Sequence, residues 1–182
     1  RDALAGDPAL GPRLRGLDLL ESPDGGTLLA SLETALAPRE APALVSLAVR
    51  VPGLDGFGVA TGPRLQWLHG APFVEASVLG VVLRARARSF FQANRFLLEP
   101  LAGTVVDLVP PGDGRVVDLY AGGGLFALPL AARGEREVLA VEWASSAAED
   151  ARWAARRNGL EAVRVVAGDV ATALAQAGPG KG

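Results

Sequence analysis

The chain has 182 residues, enough for one large domain or two small ones, and 49% of them are hydrophobic, enough for a buried core. Its formal net charge of −2 excludes nucleic-acid binding through an overall basic surface. Because the chain contains no cysteine, it offers no disulfide, no cysteine-ligated metal and no thiolate nucleophile.

The sequence shows neither an apolar run of membrane-spanning length nor a signal-peptide pattern at its start. We therefore expect a soluble, cytoplasmic protein without a metal site. The chain begins at Arg1 and contains no methionine, so we also expect it to be a piece of a longer protein.

The first half of the chain has the pattern of a small α+β domain. Residues 27–37 predict a helix that ends at Pro38, and the Val- and Leu-rich residues 43–51 predict a strand. Gly and Pro residues separate four further predicted strands, which are 57–61, 64–69, 73–78 and 81–87. Together these strands predict a small, mainly antiparallel sheet.

Three arginines alternate with apolar residues at the end of this region. The alternation places Arg84, Arg86 and Arg88 on one face of a half-buried strand, where they contact either RNA phosphates or solvent. Apolar residues spaced at threes and fours then predict a helix from residue 89 or 91 to residue 109, kinked or broken at Pro100.

Strands and helices alternate after a Pro-Pro-Gly-Asp-Gly boundary at 110–114. The predicted strands are 115–120, 137–141 and 162–166, and the predicted helices are 125–133, 145–158 and 170–177. This order predicts a parallel sheet with right-handed crossovers, the first half of a doubly wound α/β fold. The expected domains are a central α+β domain at 1–88, an inter-domain helix and linker at 89–114, and a partial cofactor-binding domain at 115–182.

A glycine-rich turn joins the first strand of this second half to its helix. The segment Asp118-Leu119-Tyr120-Ala121-Gly122-Gly123-Gly124 places free backbone N–H groups and a positive helix end beside an open space, which suits a nucleotide-like ligand. The turn lacks the G-x-G-x-x-G spacing of a dinucleotide site, and Asp118 would repel a phosphate. A neutral or cationic adenosine ligand is therefore favoured.

One acidic residue lies at or just after the end of each of the three predicted strands. Glu142, after the second strand, can accept both hydroxyl hydrogens of a ribose, and Asp169, after the third, can accept a hydrogen bond from an adenine amino group. S-adenosylmethionine fits this pattern, because acidic residues such as Asp118 favour its sulfonium and ammonium groups. The simpler interpretation is that the three carboxylates are solvated loop residues.

Two motifs resemble one enzyme family. The segment Ser89-Phe90-Phe91-Gln92-Ala93-Asn94, followed by residues 118–131, closely resembles the RNA uracil-5 methyltransferases, which act on tRNA or 23S rRNA with S-adenosylmethionine. The resemblance covers about residues 65–170. It implies an S-adenosylmethionine-dependent RNA methyltransferase that forms 5-methyluridine in rRNA or tRNA.

The resemblance also implies site residues. Gln92 contacts the cofactor from the inter-domain helix, Tyr120 and the turn after it line the methionine end, Glu142 holds the ribose and Asp169 holds the adenine. Leu125 stands where many members have a polar residue, and it offers a backbone N–H. The expected cofactor-binding residues are Gln92, Asp118, Tyr120, Gly122, Gly124, Leu125, Glu142 and Asp169. Phe90 and Phe91 are interpreted as core aromatics rather than as base-stacking platforms.

The family's cysteine nucleophile and base lie beyond the third strand, so no catalytic residue is expected within this chain, and the chain alone is expected to be inactive. Two other functions stay open. One is a non-catalytic module that binds cofactor or RNA without turnover. The other is an NAD-dependent oxidoreductase with Glu142 on the ribose, which the glycine spacing and the Phe-Phe-Gln element disfavour.

Overall fold

The structure is a computed structural model that describes residues 13–35, 41–62, 64–134 and 136–178. These residues form nine strands and five helices. The strands are β1 (Leu14–Glu21), β2 (Leu28–Thr34), β3 (Gly56–Thr61), β4 (Arg64–His69), β5 (Phe73–Val78), β6 (Val81–Arg86), β7 (Val116–Leu119), β8 (Val138–Glu142) and β9 (Val163–Ala167). The helices are α1 (Ala41–Ala48), α2 (Leu98–Leu108), α3 (Ala127–Ala132), α4 (Ser145–Arg157) and α5 (Val170–Ala177). The chain divides into two compact units after Val74.

The first unit is built on a mixed sheet with the strand order β1-β2-β3-β4. Strand β2 pairs antiparallel with β1 and parallel with β3, while β3 pairs antiparallel with β4. Leu44 and Ala48 lie one turn apart on α1, so they share a face and join Leu32 and Phe57 in the core of this unit. Two of the three strand pairs are antiparallel, as the sequence predicts.

Two predictions in this unit are wrong. Residues 28–34 form a strand instead of a helix, and residues 41–48 form a helix instead of a strand. Strand β2 lies between two partners and is buried on both faces, so its apolar residues do not alternate with polar ones. In α1 the buried residues Leu44 and Ala48 follow the helical spacing of four, whereas Val45 is half-buried and Val49, just after the helix, is exposed. Residues 36–40, where the predicted helix would end, lie outside the described part of the chain.

The second unit contains a three-stranded parallel sheet with the order β7-β8-β9. Strand β8 is covered on both faces. Val138 and Ala140 pack in a cluster with residues of α2 and α3, whereas Leu139 and Val141 pack with Ala173 of α5. Helices therefore lie on both sides of a parallel sheet, which confirms the predicted α/β fold class.

Strands β5 and β6 form a separate two-stranded sheet rather than continuing the first one. Their connection, Leu79-Gly80, has φ angles of 50° and 79°, which are typical of a type I′ hairpin turn. Leu83 of β6 packs in one cluster with Leu98 of α2 and Ala154 of α4. The hairpin thus packs on the helices of the second unit.

Helix α2 begins later than the sequence predicts. Residues 89–97 are irregular, and Pro100 lies in the first turn of α2, where its missing N–H is not needed for a helical hydrogen bond. Phe90 is 87% exposed, so its interpretation as a core aromatic is wrong, whereas Phe91 packs against the core. Within the described ranges, none of the helices is long and apolar enough to cross a membrane.

Candidate functional site

The glycine-rich turn lies at the carboxyl end of β7, as the sequence predicts. The N–H of Ala121 donates to the carbonyl of Val141 in β8 over 3.0 Å, and that of Gly124 donates to the carbonyl of Ala121 over 2.9 Å. These bonds close the turn and fix it to the neighbouring strand.

Glu142 connects the turn after β7 with the loop after β8. Its Oε2 accepts a hydrogen bond from the N–H of Gly122 over 2.8 Å, and its Oε1 accepts one from the N–H of Ala144 over 2.7 Å. Each carboxylate oxygen has further acceptor capacity. The carboxylate is therefore held in one orientation and can still accept hydrogen bonds from a ligand.

A cavity of about 440 Å³ opens beside this carboxylate. It is lined by Arg88, Ser89, Phe90, Tyr120, Gly122, Glu142, Ala144, Ser146 and Ala147. Its walls are the segment after β6, the turn after β7, the end of β8 and the start of α4. The cavity thus lies at the carboxyl ends of parallel strands, where ligands bind in open α/β sheets.

Two cavity residues have an unusual backbone. Among the described residues, only Leu79, Arg88 and Tyr120 combine a positive φ with a side chain, and Leu79 belongs to the hairpin turn. Arg88 and Tyr120, with φ angles of 66° and 62°, both line the cavity. Such backbone strain clusters at functional sites, where the surrounding structure maintains it.

Asp118 lies beside the cavity rather than in its lining. Its Oδ2 accepts a hydrogen bond from the N–H of Ala127, the first residue of α3, over 3.0 Å. The pKa of Asp118 is raised from 3.8 to about 6, mainly because the carboxyl is buried; the hydrogen bond from Ala127 lowers it and the negative charge of Glu142 adds to the rise. Asp118 thus positions the start of α3 below the turn.

The other predicted site residues do not line the cavity. Asp169 is exposed and caps α5 by accepting the N–H of Thr172 over 2.8 Å, and its hydrogen bonds with Thr172 lower its pKa. A Cβ on Gly124 would come within 2.7 Å of Leu128 Cδ1, so this glycine allows the helix to pack on the turn. Leu125 packs against the core, and Gln92 is half-buried in the irregular segment.

The structure brings Tyr120, Gly122 and Glu142 together, and it adds six residues that the sequence interpretation missed. They are Arg88, Ser89, Phe90, Ala144, Ser146 and Ala147. Ser89 and Phe90 belong to a motif that pointed to the family, yet only its glutamine was assigned to the site. Ala144, Ser146 and Ala147 follow Glu142 directly, and their small side chains gave no chemical signal.

The arginine row has a different role from either expected one. Arg84 Nε donates to Asp150 Oδ1 over 2.7 Å and Arg86 Nε approaches the same oxygen at 3.0 Å, while Arg86 Nη1 pairs with Glu149 at 3.0 Å. Both acids lie on α4. Arg84 and Arg86 therefore attach β6 to α4, and we call this set of four residues the β6–α4 clamp.

A family model for tRNA (uracil-5-)-methyltransferase matches residues 77–179, which is more than half of the chain. The chain belongs to this family. The resemblance inferred from the two motifs is thereby confirmed, and every residue that lines the cavity lies within the matched range.

Two relatives illustrate the range of the family. The chain is 40% identical over 118 residues to the 23S rRNA (uracil(1939)-C(5))-methyltransferase RlmD of Stenotrophomonas maltophilia. This alignment covers 64% of the chain and 24% of the relative. It is 37% identical over 100 residues to an uncharacterized RNA methyltransferase of Thermosynechococcus vestitus, which covers 54% and 22%. The chain thus spans about a quarter of the length of these relatives.

A solved structure shows the same fold. The tRNA (uracil-54, C5)-methyltransferase of Pyrococcus abyssi, solved in complex with S-adenosyl-L-homocysteine, aligns with a TM-score of 0.67 at 23% identity. The alignment covers 85% of the chain described here and 39% of the Pyrococcus abyssi chain.

Proposed function

We propose that this chain is the cofactor-binding part of an S-adenosylmethionine-dependent methyltransferase that forms 5-methyluridine in rRNA or tRNA in the cytoplasm. The observation that carries the proposal is the cavity at the carboxyl ends of β7 and β8, with the fixed carboxylate of Glu142 in its wall. Family membership and the RNA methyltransferases among its relatives support the same function.

The cavity residues fit an adenosine-based cofactor. A volume of about 440 Å³ is within the usual range of small-molecule sites. Gly122 has a φ of 56°, and nothing lies within 4 Å of the position that a Cβ would take there, so a ligand can approach its backbone. When bound, S-adenosylmethionine supplies an electrophilic methyl group on its sulfonium sulfur.

We assign roles to the predicted residues from the cavity lining and, for Asp169 and Gln92, which lie outside that lining, from the family membership. Glu142 accepts hydrogen bonds from the ribose hydroxyls, Tyr120 and Gly122 line the methionine end, and Asp169 accepts a bond from the adenine amino group. Gln92 contacts the cofactor from the segment before α2. The remaining three, Asp118, Gly124 and Leu125, shape the turn and the start of α3.

The RNA is proposed to approach the same opening. Phe90 presents an exposed aromatic ring at the cavity, and single-stranded RNA bases stack on such rings. The chain holds no cysteine, so the nucleophile that the family uses has to come from outside these 182 residues.

Calorimetry with the 182-residue chain tests the cofactor assignment. We expect S-adenosylhomocysteine to bind and NAD not to bind. Substitution of Glu142 by Gln removes an ionised acceptor for the ribose and is expected to weaken binding roughly tenfold. Glu75→Gln, an exposed change on β5, is the matched control and leaves the affinity unchanged. Binding of NAD alone would overturn the assignment.

The absence of cysteine favours a second candidate, a module that binds cofactor or RNA without turnover. A methyl-transfer assay on unmodified RNA, with the full-length protein that contains this chain, separates the two. Methyl incorporation at uracil C5 supports the enzyme. Cofactor binding without any methyl incorporation supports the module.

A further inference from the structure

The lining of the cavity has a simple charge pattern. Arg88 is the cation and Glu142 the anion among the residues that line it, and the other lining residues are neutral. The methionine part of S-adenosylmethionine ends in an α-carboxylate beside an α-ammonium group. A carboxylate is favoured next to a guanidinium, which can donate two parallel hydrogen bonds to it. Glu142 has the wrong charge for this task.

The turn after β6 brings Arg88 to the cavity. The strand ends at Arg86, the N–H of Ser89 donates to the carbonyl of Arg86 over 3.0 Å, and Arg88 between them has the left-handed φ of 66°. Arg88 therefore leaves the row formed by Arg84 and Arg86.

The strand that leads to Arg88 is attached to a helix that also lines the cavity. Asp150, which is 1% exposed, holds Arg84 and Arg86 through the β6–α4 clamp. Asn158 adds two bonds to the backbone of Val82, accepting its N–H over 2.9 Å and donating to its carbonyl over 2.8 Å. The first turn of the same helix supplies Ser146 and Ala147 to the cavity. Helix α4 thus contacts the strand that leads to Arg88 and also contributes residues to the cavity.

From these observations we infer that Arg88 binds the α-carboxylate of the cofactor's amino acid group and so selects ligands that carry this carboxylate. The inference rests on the proposed function. It gives a role to a residue that neither the glycine-rich turn nor the strand-end acids include, and it explains why a strained arginine lies at the cavity.

The test compares two ligands that differ only in the carboxylate, S-adenosylhomocysteine and its decarboxylated analogue, by calorimetry on the 182-residue chain. The wild-type chain is expected to bind S-adenosylhomocysteine about 10- to 100-fold more tightly, the usual effect of a hydrogen-bonded charge pair. In Arg88→Gln this preference is expected to disappear, so that both ligands bind with about the affinity that the wild-type chain has for the analogue. Arg157→Gln, an exposed change on α4, is the control and keeps the wild-type preference.

Three outcomes of this experiment would contradict the inference about Arg88. If the wild-type chain binds both ligands equally well, the inference is wrong without any need for a variant. If Arg88→Gln weakens both ligands equally, or keeps the preference, the carboxylate is held elsewhere, for example by Ser146 at the start of α4. If the wild-type chain binds neither ligand, the proposed function fails together with the inference.

Discussion

At the scale of single residues, Asp118 contributes to the structure of the site without lining its cavity. The sequence placed it at the end of the first parallel strand, and β7 does end beside it. Its carboxylate is turned to the N–H of Ala127 and does not line the cavity. Its role in binding therefore stays a prediction, while its role in holding α3 is a direct observation.

The raised pKa of Asp118 predicts a dependence of stability on pH. Its pKa rises from the ordinary 3.8 to about 6 in the folded chain, so the folded state binds more protons than the unfolded state between these values. The contribution of Asp118 to stability is therefore fully present below about pH 3.8 and is lost as the pH rises through about 6.

Asp118→Asn removes the buried charge and keeps an oxygen that accepts the Ala127 N–H. At pH 7.5 we expect the variant to be more stable than the wild type by on the order of 2 kcal/mol, measured by urea denaturation. At pH 4 the two chains should differ little, because the wild-type carboxyl is then protonated. A difference of equal size at both pH values would contradict this account.

At the scale of elements, the β6–α4 clamp is a buried polar link between the hairpin and a helix of the second unit. Asp150 is 1% exposed, and its Oδ2 has no hydrogen-bond partner among the described residues, so its charge depends on Arg84 and Arg86. Burial raises the pKa of Asp150, and the two guanidinium groups oppose this shift. The guanidinium of Arg84 also lies 4.7 Å from the centre of the Trp153 ring.

Replacement of Asp150 by Asn leaves the buried guanidinium of Arg84 without its counter-charge. We expect the free energy of unfolding to fall by about 3 kcal/mol, since breaking a buried ion pair leaves an uncompensated charge. Glu149→Gln is the matched control, because the Glu149 side chain is 58% exposed and its pair with Arg86 should contribute less than about 1 kcal/mol. Equal losses in the two variants would show that burial does not decide the strength of this clamp.

The errors in the element predictions have physical causes. Strands β3 to β6 and the alternation from β7 to α5 followed from punctuation by Gly and Pro and from apolar runs of strand length. Strand β2 was missed because both of its faces are buried, which hides the period of two. The predicted start of α2 was wrong because Phe90 and Leu97 fit a helical period but are exposed.

At the scale of the whole molecule, the parallel sheet is open at β7. In the described part of the chain β7 pairs only with β8, and Val117 and Leu119 are each 40% exposed. The division into domains at 1–88, 89–114 and 115–182 stays a prediction, while the compact units divide after Val74.

The candidate site could be predicted from the sequence only in part. Glu142 and the turn at Gly122 were found because strand ends and glycines have recognisable patterns, and the structure places both at one cavity. Arg88 could not be found, because its left-handed φ breaks the alternation that had placed it on a strand face. Its position depends on contacts between β6 and α4, such as the pair Arg84 and Asp150. These two residues are 66 positions apart in the sequence.

The central claim is that the cavity beside Glu142 holds the adenosine cofactor. The most direct test is NMR on the isotopically labelled chain, with backbone amide shifts followed during titration with S-adenosylhomocysteine. We predict that the largest changes occur at Gly122 and Ala144, whose N–H groups donate to the Glu142 carboxylate, and at Tyr120 beside them. Absence of changes, or changes concentrated in the groove of Arg152, Arg156 and Val163, would contradict the claim.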